Sequence, residues 1–269
     1  VQKQIQSVQA PPTLCLVTVD TVMAGKTKHA GAWGLSRSAR VEALLPLTCI
    51  DTPWGDCLSS RMLAPSEPEA WVNCDASFVP RLVSSGSRAV HMEIAKKTLD
   101  SQYITGGTAG LGLLTARWLV DHGTGMLALG SRSGMIASSS SNTARKLSRG
   151  VSMTTLLIVV RCDAAEESHV QRLTTIFHGP GNGLFHVAGV LADALLADQA
   201  AKANEQAYAP KASGAWMLQR ALAAAPLRHC TYFSSIATLL GGAGQANYAA
   251  ANSCLDASAA KRRSLMQNA

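Results

Sequence analysis

Charge is scarce in this chain of 269 residues: Asp, Glu, Lys and Arg make up 15% of it, against about 25% in an average soluble domain. Aromatic residues contribute 5%. None of them interleaves with a basic stripe, which argues against a nucleic-acid-binding surface. Long apolar runs are missing too. Stretches such as Leu156–Val160 (LLIVV) fall far short of the roughly 20 residues needed to cross a bilayer. No membrane partner is expected, and no charged-then-apolar leader is visible. Paired cysteines are also absent. Cys15, Cys49, Cys57, Cys74, Cys162, Cys230 and Cys254 are scattered and odd in number, with no C-x-x-C spacing. That speaks against a disulfide framework or a zinc site. Reduced thiols packed as small hydrophobes, in a cytoplasmic protein without a metal, are the expectation.

What is present is apolar and mildly basic. At 47% hydrophobic the chain can bury a sizeable core. The net charge is +7, with small basic clusters at Lys26–His29 and Lys261–Arg263. A solvated basic face is the default for such residues, and it also suits the steering of an acidic partner. The chain opens on Val1 rather than methionine, which reads as a piece of something longer.

The N-terminal part alternates strands and helices. TLCLVTVD (Thr13–Asp20) and LPLTCIDT (Leu45–Thr52) read as strands. GAWGLSRSARVEA (Gly31–Ala43) has helical spacing at Trp33, Leu35, Ala39 and Val41. EAWVNCDASFVPRLV (Glu69–Val83) suggests a hairpin strand pair. SSGSR (Ser84–Arg88) reads as a linker. A clear β-α-β series follows, with strands at QYITGG, GMLALGSRSG, TTLLIVVRCD, GLFHVAG and HCTYFSS. Strands alternating with helices predict an α/β fold, a doubly wound parallel sheet covered on both faces.

ITGGTAGLG (Ile104–Gly112) sits between a strand and a helix. Gly106, Gly110 and Gly112 allow a tight turn and close approach of the backbone to a pyrophosphate, which then meets the N–H groups of a helix start. The strand-then-helix context makes nucleotide binding a better reading than a plain turn. About 20 residues past the last glycine, a dinucleotide fold places the residue that selects its cofactor. Here that strand ends in Ser131, Arg132 and Ser133, which suit a 2′-phosphate and favour NADPH, although Arg132 also fits as a solvated strand end. After the third strand come Cys162 and Asp163. Asp163 with Glu166 matches a capping box, and it is also placed to line the adenine pocket. His186, before Ala188 and Gly189, reads as a satisfied core histidine rather than a catalyst.

Tyr248 and Asn252 are four apart on a predicted helix and share one face. Ser235 lies thirteen residues before Tyr248, at the end of a strand. That spacing resembles the short-chain dehydrogenase/reductase superfamily. Most members carry Tyr-x-x-x-Lys, whereas this chain has Tyr-x-x-x-Asn and offers Lys211 at the start of the preceding helix. This swap, with K-x-x-G-A-W, F-S-S and G-Q-x-N-Y-A-A-A-N all present, is similar to the ketoreductase domains of type I polyketide synthases and related fatty-acid synthases.

The resemblance implies residues 1–98 as a truncated Rossmann-like structural subdomain without cofactor, and residues 99–269 as the catalytic NADPH-binding subdomain. It implies cofactor contacts from Thr105, Gly106, Gly107, Thr108, Ala109, Gly110, Leu111 and Gly112, from Ser131, Arg132, Cys162 and Asp163, and from Ala188, Gly189, Val190, Lys211 and Tyr248. It also implies a β-ketoacyl thioester, carried on the phosphopantetheine of an acyl carrier protein, as substrate, and other polyketide synthase domains as neighbours. Ser235 would hold the ketone oxygen and Tyr248 would protonate it. Lys211 would lower the tyrosine pKa, and Asn252 would orient Lys211. A family marker of the B-type product, Leu-Asp-Asp, is kept only in its last aspartate, as Leu191-Ala192-Asp193. The A-type tryptophan position is Leu240, so the B-type, D-configured product is expected. The family's final strands and lid are missing after Ala269, so a C-terminally truncated fold is expected. Two rivals stand beside this reading: a non-catalytic NADP-binding scaffold, and a stand-alone reductase of free ketones.

Overall fold

The computed structural model describes residues 14–21, 29–53, 67–83, 101–150, 155–173, 175, 182–223 and 227–267. In chain order the elements are β1 (Leu14–Val19), α1 (Ala30–Ala43), β2 (Leu47–Thr52), β3 (Glu69–Val72), β4 (Ser77–Phe78), β5 (Ser101–Thr105), α2 (Gly110–Asp121) and β6 (Met126–Ser131). Then come α3 (Ser141–Gly150), β7 (Leu156–Arg161), α4 (Glu167–Leu173), β8 (Asn182–His186), α5 (Ala201–Tyr208), α6 (Gly214–Ala221), β9 (Leu227–Tyr232), α7 (Ala237–Leu240) and α8 (Ala246–Gln267). The expected linker at Ser84–Arg88, the 98/99 boundary, Cys57 and residues 26–28 of the basic cluster lie outside the described residues.

The chain divides into two compact units. The first comprises Val1–Ala89, Leu191–Tyr208 and Ser234–Ala269; the second comprises Val90–Val190 and Ala209–Phe233.

The second unit holds five parallel strands in the order β7-β6-β5-β8-β9. The order reverses between β5 and β8, the switch point at whose carboxyl edge open α/β sheets bind ligands. Side chains alternate across a strand, and the two cores show it. Ile104, Leu127 and Leu129 pack with Leu113, Ala116, Leu119 and Val120 of α2 and Leu147 of α3. Their neighbours Tyr103 and Ala128 pack with Val170, Leu173, Leu218 and Leu222 on the opposite face. Both faces are therefore covered, as the apolar strand sequences require. Fully buried leucines such as Leu113 and Leu127 each contribute about 2 kcal/mol relative to exposure. Past α2, Gly123 takes φ +83°, and its N–H donates to Val120 O at 3.0 Å, a left-handed helix stop.

In the first unit β1, β2 and β3 run parallel, and β4 pairs antiparallel with β3. The hairpin expected at Glu69–Val83 is the β3–β4 pair. Asn73 closes its turn, its side-chain oxygen accepting from Asp75 N (3.0 Å) and Ala76 N (2.7 Å). The expected face of α1 is only half right. Trp33 and Ala39 are buried, but Leu35 and Val41 are exposed, at 37% and 51%. The buried face is instead built of small residues, among them Ala30, Gly31, Gly34 and Ser38. A Cβ on Gly34 would lie 2.4 Å from Ala249 O and from Ser253 Oγ of α8. The two helix backbones thus approach too closely for larger side chains. Glu69 is buried at the foot of β3 and bridges Arg37 (2.5 Å) and Arg40 of α1.

Candidate active site

In the second unit the glycine loop leaves β5 at Thr105. Gly106 has φ +65°, a conformation L residues rarely adopt. A Cβ there would also sit 2.9 Å from Ala188 Cα. At Gly112 a Cβ would meet Gly106 O at 2.1 Å. Two of the three motif glycines thus make a cradle that a side chain would fill. Gly107 N donates to Gly130 O (3.1 Å), tying the loop to the end of β6. Residue Ala109 precedes α2 in an extended conformation and caps it with no side-chain oxygen. Nothing from the cap competes for the first-turn N–H groups, which carry the partial positive charge of the helix start. This cradle fits the pyrophosphate of a dinucleotide. Thr108 is buried, and Leu111 is exposed beside the turn.

The end of β6 presents Arg132, exposed to solvent. Ser131 Oγ is occupied locally and accepts from Gly134 N (3.1 Å). Across the next strand end, Cys162 is buried and its N–H donates to Ser131 O (2.8 Å). Burial pushes its thiol pKa up. The capping box expected at Asp163 and Glu166 is corrected. Helix α4 starts at Glu167, and the Asp163 carboxylate accepts from Ala165 N (3.0 Å), closing a turn two residues on. The Asp163 N–H is taken up by His169 Nδ1 (3.1 Å), not by Glu166. The histidine lies one helical turn further in and reaches back over the start of α4.

His186, on the last residue of β8, is fully satisfied. Its Nδ1 lies 2.7 Å from Thr105 Oγ1, and Nε2 lies 3.2 Å from Lys211 O. Thr105 Oγ1 also accepts from Val187 N and Ala188 N, both at 3.2 Å. With both lone pairs used, the one hydroxyl proton goes to Nδ1, which leaves the ring proton on Nε2. Burial lowers the His186 pKa from 6.5 to about 4. The satisfied core histidine expected from the sequence is what the geometry holds.

Lys211 does not begin a helix, as the sequence suggested. It sits within a π-helical turn, Ala209–Ser213, that joins α5 to α6 without a break. Pro210 supplies the cause, because it has no N–H for a regular i to i−4 bond. The Lys211 side chain is buried, and Nζ donates to Phe233 O (3.0 Å). Phe233 N in turn donates to His186 O (3.0 Å). With the bond from His186 Nε2 to Lys211 O, three hydrogen bonds close a ring that fixes both ends of the lysine. The aliphatic part of Lys211 crosses Gly189, where a Cβ would meet Cε at 2.8 Å. Ala188, Gly189 and Val190 thus connect the glycine cradle to the ammonium.

In the first unit Ser235 lies three residues beyond the end of β9 rather than on it. It lies just ahead of α7: its Oγ accepts from Ala237 N (3.2 Å), and its carbonyl accepts from Thr238 Oγ1 (2.8 Å). A cleft of about 570 Å³ is lined by Ser234, Ser235, Ile236, Thr238, Leu239, Asp256, Ala259 and Arg263. Tyr248 and Asn252 stand one turn apart on α8, Tyr248 half-buried and Asn252 fully buried. Asn252 Nδ2 donates to Tyr248 O (2.8 Å), while the buried Oδ1 has no protein hydrogen-bond partner. The sequence reading missed Asn247. It is 1% exposed, and its Nδ2 donates to Ala192 O (2.8 Å) and Ala203 O (3.3 Å). An asparagine directly before Tyr248, within the G-Q-x-N-Y motif, was the available signal.

The strand order, the cradle at the switch point and the Ser-x12-Tyr spacing define a dinucleotide-binding α/β fold of the short-chain reductase type. The KR domain family model matches residues 101–269. The polyketide synthase GfsA of Streptomyces halstedii is 34% identical over 87% of this chain, which covers 3% of that protein. A subunit of a Mycobacterium tuberculosis phenolphthiocerol/phthiocerol polyketide synthase is 38% identical over 61% of the chain and 9% of the relative. Among solved structures, A-type ketoreductases from a modular polyketide synthase align with a TM-score of 0.82 and 29% identity, over 96% of this chain and 58% of theirs. The first ketoreductase of the tylosin synthase gives a TM-score of 0.80 and 28% identity, over 93% of this chain and 56% of that one. The chain belongs to the ketoreductase (KR) domain family of type I polyketide synthases. It spans less than a tenth of these synthases and somewhat over half of the solved ketoreductase chains. Among the described residues no helix is long and apolar enough to cross a membrane.

Proposed function

We propose that the chain reduces a β-ketoacyl thioester, held on an acyl carrier protein, to the β-hydroxyacyl thioester with NADPH. The observation that carries this reading is the buried Lys211 ammonium. It is locked at both ends and lies across Gly189, beside the cradle formed by Gly106 and Ala188. An anion cradle and a fixed cation at one sheet edge suit a reductase better than a passive tight turn.

Thr105 through Gly112 would hold the pyrophosphate, Arg132 the 2′-phosphate, and Cys162 and Asp163 the adenine side. When bound, the nicotinamide supplies hydride to the β-carbon. Ser235 orients the ketone oxygen, and Tyr248 donates its phenolic proton to that oxygen as negative charge develops there. Lys211 acts electrostatically, because an ammonium near a phenol favours the phenolate left behind. Asn252 serves through its buried, unpaired Oδ1, an acceptor suited to an ordered water. Solvent then returns a proton to Tyr248. Residues 1–98 are the non-catalytic part and residues 99–269 the catalytic part in this reading. Retention of Asp193 supports the B-type, D-configured product. The basic residues Lys261, Arg262 and Arg263 suit an acidic carrier protein.

Oxidation of NADPH and of NADH is followed with a carrier-bound β-ketoacyl thioester and with a free ketone. Faster turnover of the carrier-bound thioester with NADPH is expected. Equal rates on free ketone would overturn the carrier assignment, and a preference for NADH would overturn the role of Arg132.

A further inference from the structure

The twelve residues between Ser235 and Tyr248 carry two glycines at positive φ, Gly241 (+73°) and Gly244 (+75°). A segment of that kind needs something to hold it. Helix α1 does so at three points. Arg37 Nη1 donates to Thr238 O. Gly242 N donates to Ser38 Oγ (3.3 Å). Gly244 N donates to Glu42 Oε2 (2.9 Å). Ser38 and Glu42 are one helical turn apart and so share a face. A Cβ at Gly241 would strike Arg37 O at 2.5 Å, which shows how closely the link lies along the helix.

Glu42 does more than its neighbours. Its second oxygen, Oε1, accepts from Leu196 N. One half-buried carboxylate therefore gathers two backbone amides from segments far apart in sequence. Around it, Ala194 N donates to Gly244 O (3.0 Å), and Asn247 Nδ2 donates to Ala192 O (2.8 Å). Gly244 is four residues before Tyr248, and its neighbour Gln245 accepts from Ala249 N (2.8 Å) in the first turn of α8. Whatever fixes Gly244 fixes the start of the helix that presents Tyr248.

We infer that Glu42 is a positioning residue for the proton donor: its carboxylate holds the 192–196 segment and the lead-in of α8 in one geometry. The inference rests on the role proposed above for Tyr248. A carboxylate is the fitting group because it accepts at both oxygens and donates at neither. Glutamine keeps the length and one acceptor oxygen, but turns the other site into a donor facing an N–H.

The test compares Glu42→Ala and Glu42→Gln with the parent chain. The readouts are kcat and KM for the thioester, NADPH Kd, thermal midpoint and amide hydrogen exchange at Leu196 and Gly244. Displacement of a reacting group by about 1 Å can cost 100-fold in rate. Glu42→Ala is therefore expected to lower kcat about 10- to 100-fold with NADPH Kd unchanged, and to speed exchange at both amides. Glu42→Gln should recover part of the rate and protect one amide of the two. Unchanged exchange in Glu42→Ala overturns the clamp, whether or not the chain turns over. Faster exchange with unchanged kcat overturns the positioning role. If the parent chain reduces nothing while Glu42→Ala still speeds exchange at both amides, the clamp stands and the reductase reading falls.

Discussion

The parallel strands of the two sheets of this chain finish their carboxyl edges in opposite ways. In the first unit the edge of β1 and β2 is closed by a buried carboxylate. Asp51 accepts from Thr18 Oγ1 (2.7 Å) and Thr21 N (2.9 Å), and Thr18 Oγ1 accepts in turn from Trp33 Nε1 (3.1 Å). The local donors are consumed, and the group that consumes them is an acid. In the second unit the edge of β5 and β8 is closed by a hydroxyl and a neutral imidazole. The donors at the start of α2 meet no side-chain cap. A parallel sheet with crossover helices is therefore not in itself a nucleotide site. The two edges differ in whether the strand end presents a carboxylate or a neutral acceptor, and in whether glycines leave room for a ligand.

The contrast can be broken most severely at the cradle. Gly106→Ala places a Cβ against backbone at a left-handed φ, and strain of about 1–3 kcal/mol is expected there. Released through the loop, that strain should weaken NADPH about 10- to 100-fold by fluorescence titration, with the thermal midpoint little changed. The opposite pattern belongs to the other edge. Asp51→Ala leaves Thr18 and the Thr21 amide short of an acceptor, at a cost of about 2–3 kcal/mol in denaturant unfolding. It should leave the NADPH Kd as it was. If Asp51→Ala weakens NADPH as much as Gly106→Ala does, the two edges are not functionally distinct.

A subtler contrast is in acid. His186 titrates at about 4 when folded and 6.5 when unfolded. Its pKa is depressed, so the unfolded chain binds the extra proton. Stability is intact above pH 6.5 and falls as pH drops from 6.5 towards 4, by roughly 3 kcal/mol at most. His186→Gln should flatten that slope. An unchanged slope would mean that His186 is not the buried neutral group described.

Much of this was legible in the sequence. The five strands and the glycine loop announce themselves, because runs such as LLIVV and the Thr105–Gly112 spacing are local signals. Distances of family motifs likewise singled out Ser235, Tyr248 and Asn252 as candidates. The errors have two causes, partners remote in sequence and local turns that the spacing does not show. Leu35 and Val41 looked like core, but α1 buries its small residues against α8. Lys211 looked like a helix start until Pro210 proved to widen the turn within a continuous run. Asp163 looked like a capping-box residue, yet His169 takes its amide. Glu42 gave no signal at all, since its two amides lie 154 and 202 residues away.

The central claim is that Tyr248 donates a proton to a ketone beside a bound nicotinamide. The most direct measurement is NADPH oxidation with a carrier-bound β-ketoacyl thioester by the chain and by Tyr248→Phe, with NADPH binding titrated in both. The account predicts equal binding and a rate lower by at least about 100-fold in the variant, the scale of one general acid. Equal rates, or turnover in neither despite tight binding, would contradict it and leave a nucleotide-binding domain without chemistry.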